Sequence, residues 1–341
     1  MDIEFHYYMT HLIALRAGFK PDDAFKIAYA SQYTDDNQTA YKIQGAGIPY
    51  ENMISQTEDI TKPKEEHLRI YPVFHFCPGT RAEVLKLSPP RRDGKFHLLN
   101  TIPDNKNART IFDKALKSGD LYRIGIGTHM YADTFCHRDF TGWKDEFNWT
   151  RPGGIAGGLW SALGPAIGHA LAMHSPDVTP LVWEDLRLTS KYREKNNKEQ
   201  VLSAAVNIFD FFCSNTKPGN AATIRTQLEG DLNSAIGADV EADTGDLREK
   251  RLANCKVLLG VNYKKYDKAE WFSDAIDWQI DPHTIGNSNV KYDYSWKGDY
   301  LKSDWYAFQE AVKTHQAVAL NLHRKTFTAM EIDITRQLWV P

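Results

Sequence analysis

Cysteine is scarce in this 341-residue chain: Cys77, Cys136, Cys213 and Cys255 are the whole complement. They form no CxxC pair and no scaffold spacing, so a disulfide framework is not expected and all four read as free thiols. An excess of charge is also missing. The 41 Lys and Arg against 44 Asp and Glu give a net charge of −3, which offers nothing to a polyanion through bulk electrostatics. The first ten residues, MDIEFHYYMT, lack a basic stretch followed by an apolar core. That absence points to no secretion signal and to a cytoplasmic protein by default, signal-independent export leaving no trace. Long apolar runs are rare. Residues 155–173 carry no formal charge, which by length suits a membrane span. Gly157, Gly158, Gly164, Pro165, Gly168 and His169 interrupt the run, so a buried, close-packed helix is expected instead.

Further absences exclude particular chemistries. Arg151-Pro152-Gly153-Gly154 is glycine-rich but has no Gly-Lys-Ser/Thr ending, so it is not a phosphate loop. No His is followed directly by Asp, which excludes the phosphohydrolases built on that doublet. No internal repeat and no low-complexity tract is present.

What the chain does have is aromatic side chains, with nine Trp and sixteen Tyr, and apolar residues at helical spacing. Helices are expected over residues 4–18, closed by Gly18, and from Pro21 to Tyr33. Residues 38–68 read as irregular and 82–108 as a surface loop. Helices follow over 107–118 and 121–137, near 155–174, and from Thr179-Pro180 to Tyr192. Further helical spacing covers 199–214, 221–236, 246–260 and 303–330. Residues 262–310 read as irregular.

The central stretch is Gly127 to Trp143, GTHMYADTFCHRDFTGW. His129, Asp133 and His137 stand at i, i+4 and i+8, within roughly 80° of arc on one helical face. Two imidazoles and a carboxylate so placed are good ligands for zinc or a similar divalent ion. The apolar neighbours Ile124, Ile126, Met130, Phe135 and Phe140 indicate burial, and buried polar groups need partners. A satisfied hydrogen-bond network is the alternative.

Other candidates are spread along the chain. His6 and His11 are five apart, about 140° on an ideal helix, so they share one ion only if His6 lies at or before the helix start. Asp35 and Asp36 close the second expected helix, either as ligands or catalytic groups or as a turn. His75, between Phe74 and Phe76, is costly to bury without a partner; Cys77 is a weaker candidate beside it. Asp139, His169, His174 and Asp177 complete the set. His283, His315 and His323 show no ligand spacing.

Read in order, the series is His6 or His11, Asp35-Asp36, His75, His129-x3-Asp133, His137, then His169 with a further ligand. This order resembles the zinc-dependent phospholipase C family and the related zinc nucleases that cut single strands. The resemblance is confined to residues 1–180. It implies an all-α fold: a multi-helix bundle of the zinc-dependent phospholipase C type, with an irregular, partly helical C-terminal lobe. Residues 1–195 would form the catalytic region, with 196–341 packed on it in one compact domain. It also implies two or three zinc ions. Asp35 or Asp36, His75, His129 and Asp133 would hold the first. His137 and His169, with Asp177 or His174, would hold the second. Asp133 would bridge to a third at the N-terminal segment, held by His6 or His11. Met173 stands where that family has its last carboxylate.

The implied reaction is hydrolysis of a small phosphodiester or phospholipid by metal-activated hydroxide, with Asp35 or Asp36 orienting the water. The competing readings are a non-enzymatic helical protein with a structural metal, and a zinc nuclease acting on single-stranded nucleic acid. Trp143, Trp149 and Trp160 would suit a lipid or a nucleoside near the site.

Overall fold

Asp120 starts the element on which the rest is built. Its carboxylate accepts from the backbone N–H groups of Tyr122 (2.9 Å) and Arg123 (3.2 Å), satisfying donors that a helix start leaves open. The computed structural model describes residues 1–45, 47–59, 64–150, 167–281 and 291–332.

Along the chain, a π-helical segment Glu4–Met9 runs into α1 (Thr10–Arg16), and α2 spans Pro21–Asp36. Two short strands, β1 (Lys42–Gln44) and β2 (Tyr50–Glu51), come next, then α3 (Lys64–Leu68) and a π-helical turn Tyr71–His75. The helices α4 (Arg81–Leu87), α5 (Lys106–Ser118) and α6 (Leu121–Cys136) follow. Next come β3 (Val182–Glu184), α7 (Ser190–Arg193) and β4 (Glu194–Asn196). The remainder is α8 (Asn197–Thr216), α9 (Ala221–Ile236), α10 (Gly245–Leu259), α11 (Glu270–Ala275), β5 (Ile276–Ile280), β6 (Tyr292–Trp296) and α12 (Asp304–Ala329).

Helix α6 lies at the centre, packed against α2, α5, α8 and α12. Gly125 makes the closest of these crossings possible: a Cβ there would stand 2.5 Å from the Ala30 side chain and from the Ile27 carbonyl. One continuous apolar core runs from Met1 to Phe327 and joins both halves of the chain. Its largest fully buried side chains include Trp271, Trp305, Tyr29 and Phe112. At roughly 1.5–3 kcal/mol for each buried large apolar side chain, this core is the main driving force for folding.

The all-α expectation is corrected. The described residues are 58% helix and 10% strand, a helical majority with two small sheets. The larger sheet has the order β2-β1-β6-β5, with β1 parallel to β6 and the other pairs antiparallel. In it Ile43 pairs with Tyr294, some 250 positions away in sequence, a partnership that local spacing does not encode. The helix expected from Thr179 to Tyr192 is instead strand β3, paired antiparallel with β4. Arg187, held to Asp185 through two nitrogens (2.9 and 2.6 Å), shapes the turn between those strands. The start of the expected loop at 82–108 is instead helical: α4 (Arg81–Leu87) forms behind a Thr80–Glu83 capping box. The glycine-rich helix expected at 155–174 falls largely outside the described residues; its described end is a turn and a single 3₁₀ turn at Ala170–Ala172. Among the described residues, no helix is long and apolar enough to cross a membrane.

Candidate metal centre

Four elements deliver the polar groups. Helix α6 presents His129 and Asp133, and His137 caps its C-terminal end. The π-helical segment Glu4–Met9 brings His6, the last turn of α2 brings Asp35, and the turn Tyr71–His75 brings His75. The loop after Ile167 adds His169 and Asp177. Gly168 makes that approach possible: its φ is +51°, and any Cβ would lie within 2.3 Å of the Phe76 ring. Phe76 in turn stacks on His137, with centroids 4.6 Å apart.

Three groups of donor atoms result: His6, His129 and Asp133; Asp35, His75 and His129; His137, His169 and Asp177. Within each, the donor atoms all lie within 4.8 Å of one another. Asp133, 1% exposed, connects them. Its Oδ1 is 2.8 Å from the Met1 amine and 3.2 Å from His6 Nε2. Its Oδ2 is 3.3 Å from His75 Nδ1, 3.2 Å from His129 Nε2 and 3.5 Å from His137 Nδ1.

The hydrogen bonds of the imidazoles show what the space between them suits. His75 Nε2 meets the Ser55 carbonyl at 2.8 Å, His137 Nδ1 the His75 carbonyl at 2.9 Å, and His169 Nδ1 the Met173 carbonyl at 2.8 Å. A carbonyl only accepts, so each of those nitrogens carries the proton and the other presents a lone pair. Those lone pairs face further acceptors. His137 Nε2 is 3.0 Å from Asp177 Oδ1, His169 Nε2 is 3.4 Å from Asp177 Oδ2, and His75 Nδ1 is 3.3 Å from Asp133 Oδ2. His129 Nε2 and His75 Nδ1 stand 3.0 Å apart. Both ring nitrogens of His6 and Nδ1 of His129 are buried with no hydrogen-bond partner among the described residues. Lone pairs converging on carboxylates are repulsive without a cation between them, and this donor set of imidazole nitrogen and carboxylate oxygen fits zinc.

Protonation answers this repulsion at some groups and not at others: the Met1 amine lies 2.8 Å from Asp133 and 3.1 Å from Asp177, and although burial lowers the His129 pKa, Asp35 and Asp133 outweigh it and raise it. Burial, with the charge of His129 beside it, pushes the His6 pKa well down, and burial holds His169 at about 4. Burial also opposes ionisation of Asp133, but His137, the Met1 amine, His129 and His6 outweigh it and hold the carboxyl well below the usual range. Asp35 is raised by burial, against the pull of His129 and His75.

The expected residues divide cleanly. His6, Asp35, His75, His129, Asp133, His137, His169 and Asp177 come together. Asp36 does not: it accepts from Gln32 (3.1 Å) and Tyr266 (2.8 Å) on the other side of α2. His11 packs by Tyr7 and Phe25 without a hydrogen bond. Asp139 is held by Lys195 at 2.7 Å. Cys77 lies 3.8 Å from His323, and His174 is exposed at the rim. The Met1 amine also lies at the centre, 2.8 Å from Asp133 Oδ1 and 3.1 Å from Asp177 Oδ1, where the sequence led to His6 or His11 as the contribution of the N-terminal segment.

The centre opens onto a cleft of about 700 Å³ whose walls include Tyr71, Phe76, Ile167 and Met173, with Arg248 at one edge. Trp143 and Trp149 do not line it, and Trp160 lies outside the described residues. No curated protein and no solved structure matches the chain. A family model does match, over residues 1–322, and the chain belongs to that family, DUF6765, a family of unknown function.

Proposed function

We propose that this protein is a metal-dependent phosphoester hydrolase, phospholipase C-like in its chemistry, using two or three zinc ions. The observation that carries the reading is the convergence of five histidines on Asp35, Asp133 and Asp177, of which Asp35, His75, His137, His169 and Asp177 line an open cleft while Asp133, His6 and His129 are fully buried beside it. Divalent ions held there would lower the pKa of water from about 15.7 toward about 7 and neutralise charge on phosphate oxygens. Asp133 directs its two oxygens to different donor groups, which suits a bridging carboxylate. Asp35, the most exposed of the three at 26%, is placed to take a proton from attacking water. Tyr71, Phe76 and Met173 offer apolar surface to the esterified group, while Arg248 at the cleft is paired with Asp2 and Glu4 at 3.4 and 3.7 Å. A structural metal site is closed by protein ligands, so the open cleft favours an enzyme. Glu58 and Asp59 on the same rim disfavour a long polyanion and favour a small phosphodiester or phospholipid.

The test is a substrate panel on zinc-loaded protein: bis(p-nitrophenyl) phosphate, a short-chain phosphatidylcholine and a single-stranded oligonucleotide. Turnover of either of the first two is expected, falling on the order of a thousandfold in Asp133→Asn. Turnover of the oligonucleotide alone would favour the nuclease reading. No turnover of any substrate at full metal loading would overturn the proposal.

A further inference from the structure

Strand β5 is an outer strand of the larger sheet: among the described residues it pairs with β6 on one side and with nothing on the other. Natural proteins blunt such edges with Lys, Pro or a bulge. This one, Ile-Asp-Trp-Gln-Ile, has no Lys and no Pro, and its register runs unbroken from Ile276↔Trp296 to Ile280↔Tyr292. Every residue from Asp277 to Ile280 is exposed.

The hydrogen bonds to β6 tell which backbone groups are open. The Asp281 N–H donates to the Lys291 carbonyl and the Lys297 N–H to the Ala275 carbonyl, both at 2.9 Å. In an antiparallel pair, residues alternate between bonding to the partner strand and turning N–H and C=O away from it. Asp277 and Gln279 therefore bond toward β6, while Ile276, Trp278 and Ile280 turn outward. The Ile276 N–H is taken by the Phe272 carbonyl at the end of α11. The Ile276 carbonyl and both backbone groups of Trp278 and Ile280 are left for a further strand. The side chains on this face run from core to solvent: Ile276 is 1% exposed, Trp278 57% and Ile280 46%.

A second β5 fits this edge in one register. Outward residues must oppose outward residues, so a two-fold axis passes through a residue and not between two. An axis at Asp277 sets that carboxylate against its own copy, and an axis at Gln279 sets Asp277 against Asp281. Like charges directly opposite are destabilising. An axis at Ile280 overlaps only the end of the strand. An axis at Trp278 sets Asp277 against Gln279 and Ile276 against Ile280. The two Trp278 residues then exchange hydrogen bonds, and each Ile280 N–H meets an Ile276 carbonyl. The exposed Ile280 of one copy also comes beside the buried Ile276 of the other, the self-complementarity that a two-fold interface requires.

We propose that two copies of this chain form a dimer by pairing their β5 strands antiparallel about Trp278, merging the two larger sheets into one. The interface does not depend on the metal centre.

Sedimentation equilibrium of the full chain tests it, and a monomer–dimer equilibrium is expected. Gln279 is exposed, so its variants should fold. Gln279→Lys places a cation opposite each Asp277 and should tighten the dimer on the order of fivefold; Gln279→Glu places like charges there and should weaken it by a similar factor. Gln227→Glu, the same charge change at an exposed position on α9, should leave the equilibrium unmoved. Trp278→Lys sets two cations against each other at the axis and should give monomer. Monomer at every concentration in the wild type would overturn the proposal. So would an undiminished dimer in Trp278→Lys, or Gln279→Lys and Gln279→Glu dimers of equal strength.

Discussion

Two sets of histidines in this molecule differ in what surrounds them. His6, His75, His129, His137 and His169 each have a carboxylate oxygen within 3.4 Å of a ring nitrogen. His11, His315 and His323 are buried but have no carboxylate among the groups acting on them. His315 gives its proton to the Val73 carbonyl at 3.1 Å and stacks on Phe74. His323 faces Cys77, and His11 packs beside the Tyr7 and Phe25 rings. Burial pushes all three down to about 4. A buried imidazole thus settles as a neutral packing group when alone. Set against carboxylates, several imidazoles make a donor set that could hold a metal ion.

The largest effect separates the two sets directly. His129 belongs to two donor groups, so His129→Ala should remove at least one ion per chain and reduce hydrolysis on the order of a thousandfold. The matching His315→Ala should cost about 1–3 kcal/mol of stability through the lost contact and the unpaired Val73 carbonyl, with metal content unchanged. Elemental analysis and urea unfolding read both. If His315→Ala sheds metal as His129→Ala does, the two sets are one.

Acid should act next most strongly. His11, His315 and His323 titrate at about 4 when folded against 6.5 for an ordinary histidine. Below pH 6.5 the unfolded chain therefore binds protons that the folded one refuses, and stability falls as pH drops from 6.5 to 4. Each group contributes at most about 1.4 kcal/mol per pH unit across that window. Unfolding free energies measured in chelator at pH 7, 6, 5 and 4 follow this without metal release. A flat profile would mean that these rings are not held neutral by burial.

The smallest effect concerns His11, whose ring nitrogens have no partner among the described residues. His11→Leu should leave metal content unchanged and keep or raise stability by roughly 1 kcal/mol, since a similar apolar side chain removes unpaired polar atoms. Loss of an ion in this variant would place His11 back among the ligands.

Spacing alone revealed α5, α6, α9, α10 and α12 nearly to their ends, because their caps and apolar periodicity are local. The His129, Asp133, His137 face was legible for the same reason. The choice between Asp35 and Asp36 was not. Adjacent helical residues point about 100° apart, and the crossing of α2 on α6, permitted at Gly125, decides which one reaches His75 and His129. His6 and His11 pose the same problem in the first segment. The β1–β6 pairing was illegible, since short strands with partners far along the chain carry no periodic signal. The hairpin at 182–196 was misread as helix because Pro180 and the spacing of Val182, Trp183 and Leu186 mimic a helix start.

The central claim is that Asp133 ties together donor groups for more than one ion. Elemental analysis of zinc-loaded, desalted protein tests it most directly, on the wild-type chain and on Asp133→Asn. Two or three zinc ions per chain are expected in the first, and at least one fewer in the second. One ion or none in the wild type, or undiminished metal and stability in Asp133→Asn, would contradict the account and leave a buried hydrogen-bond network in its place.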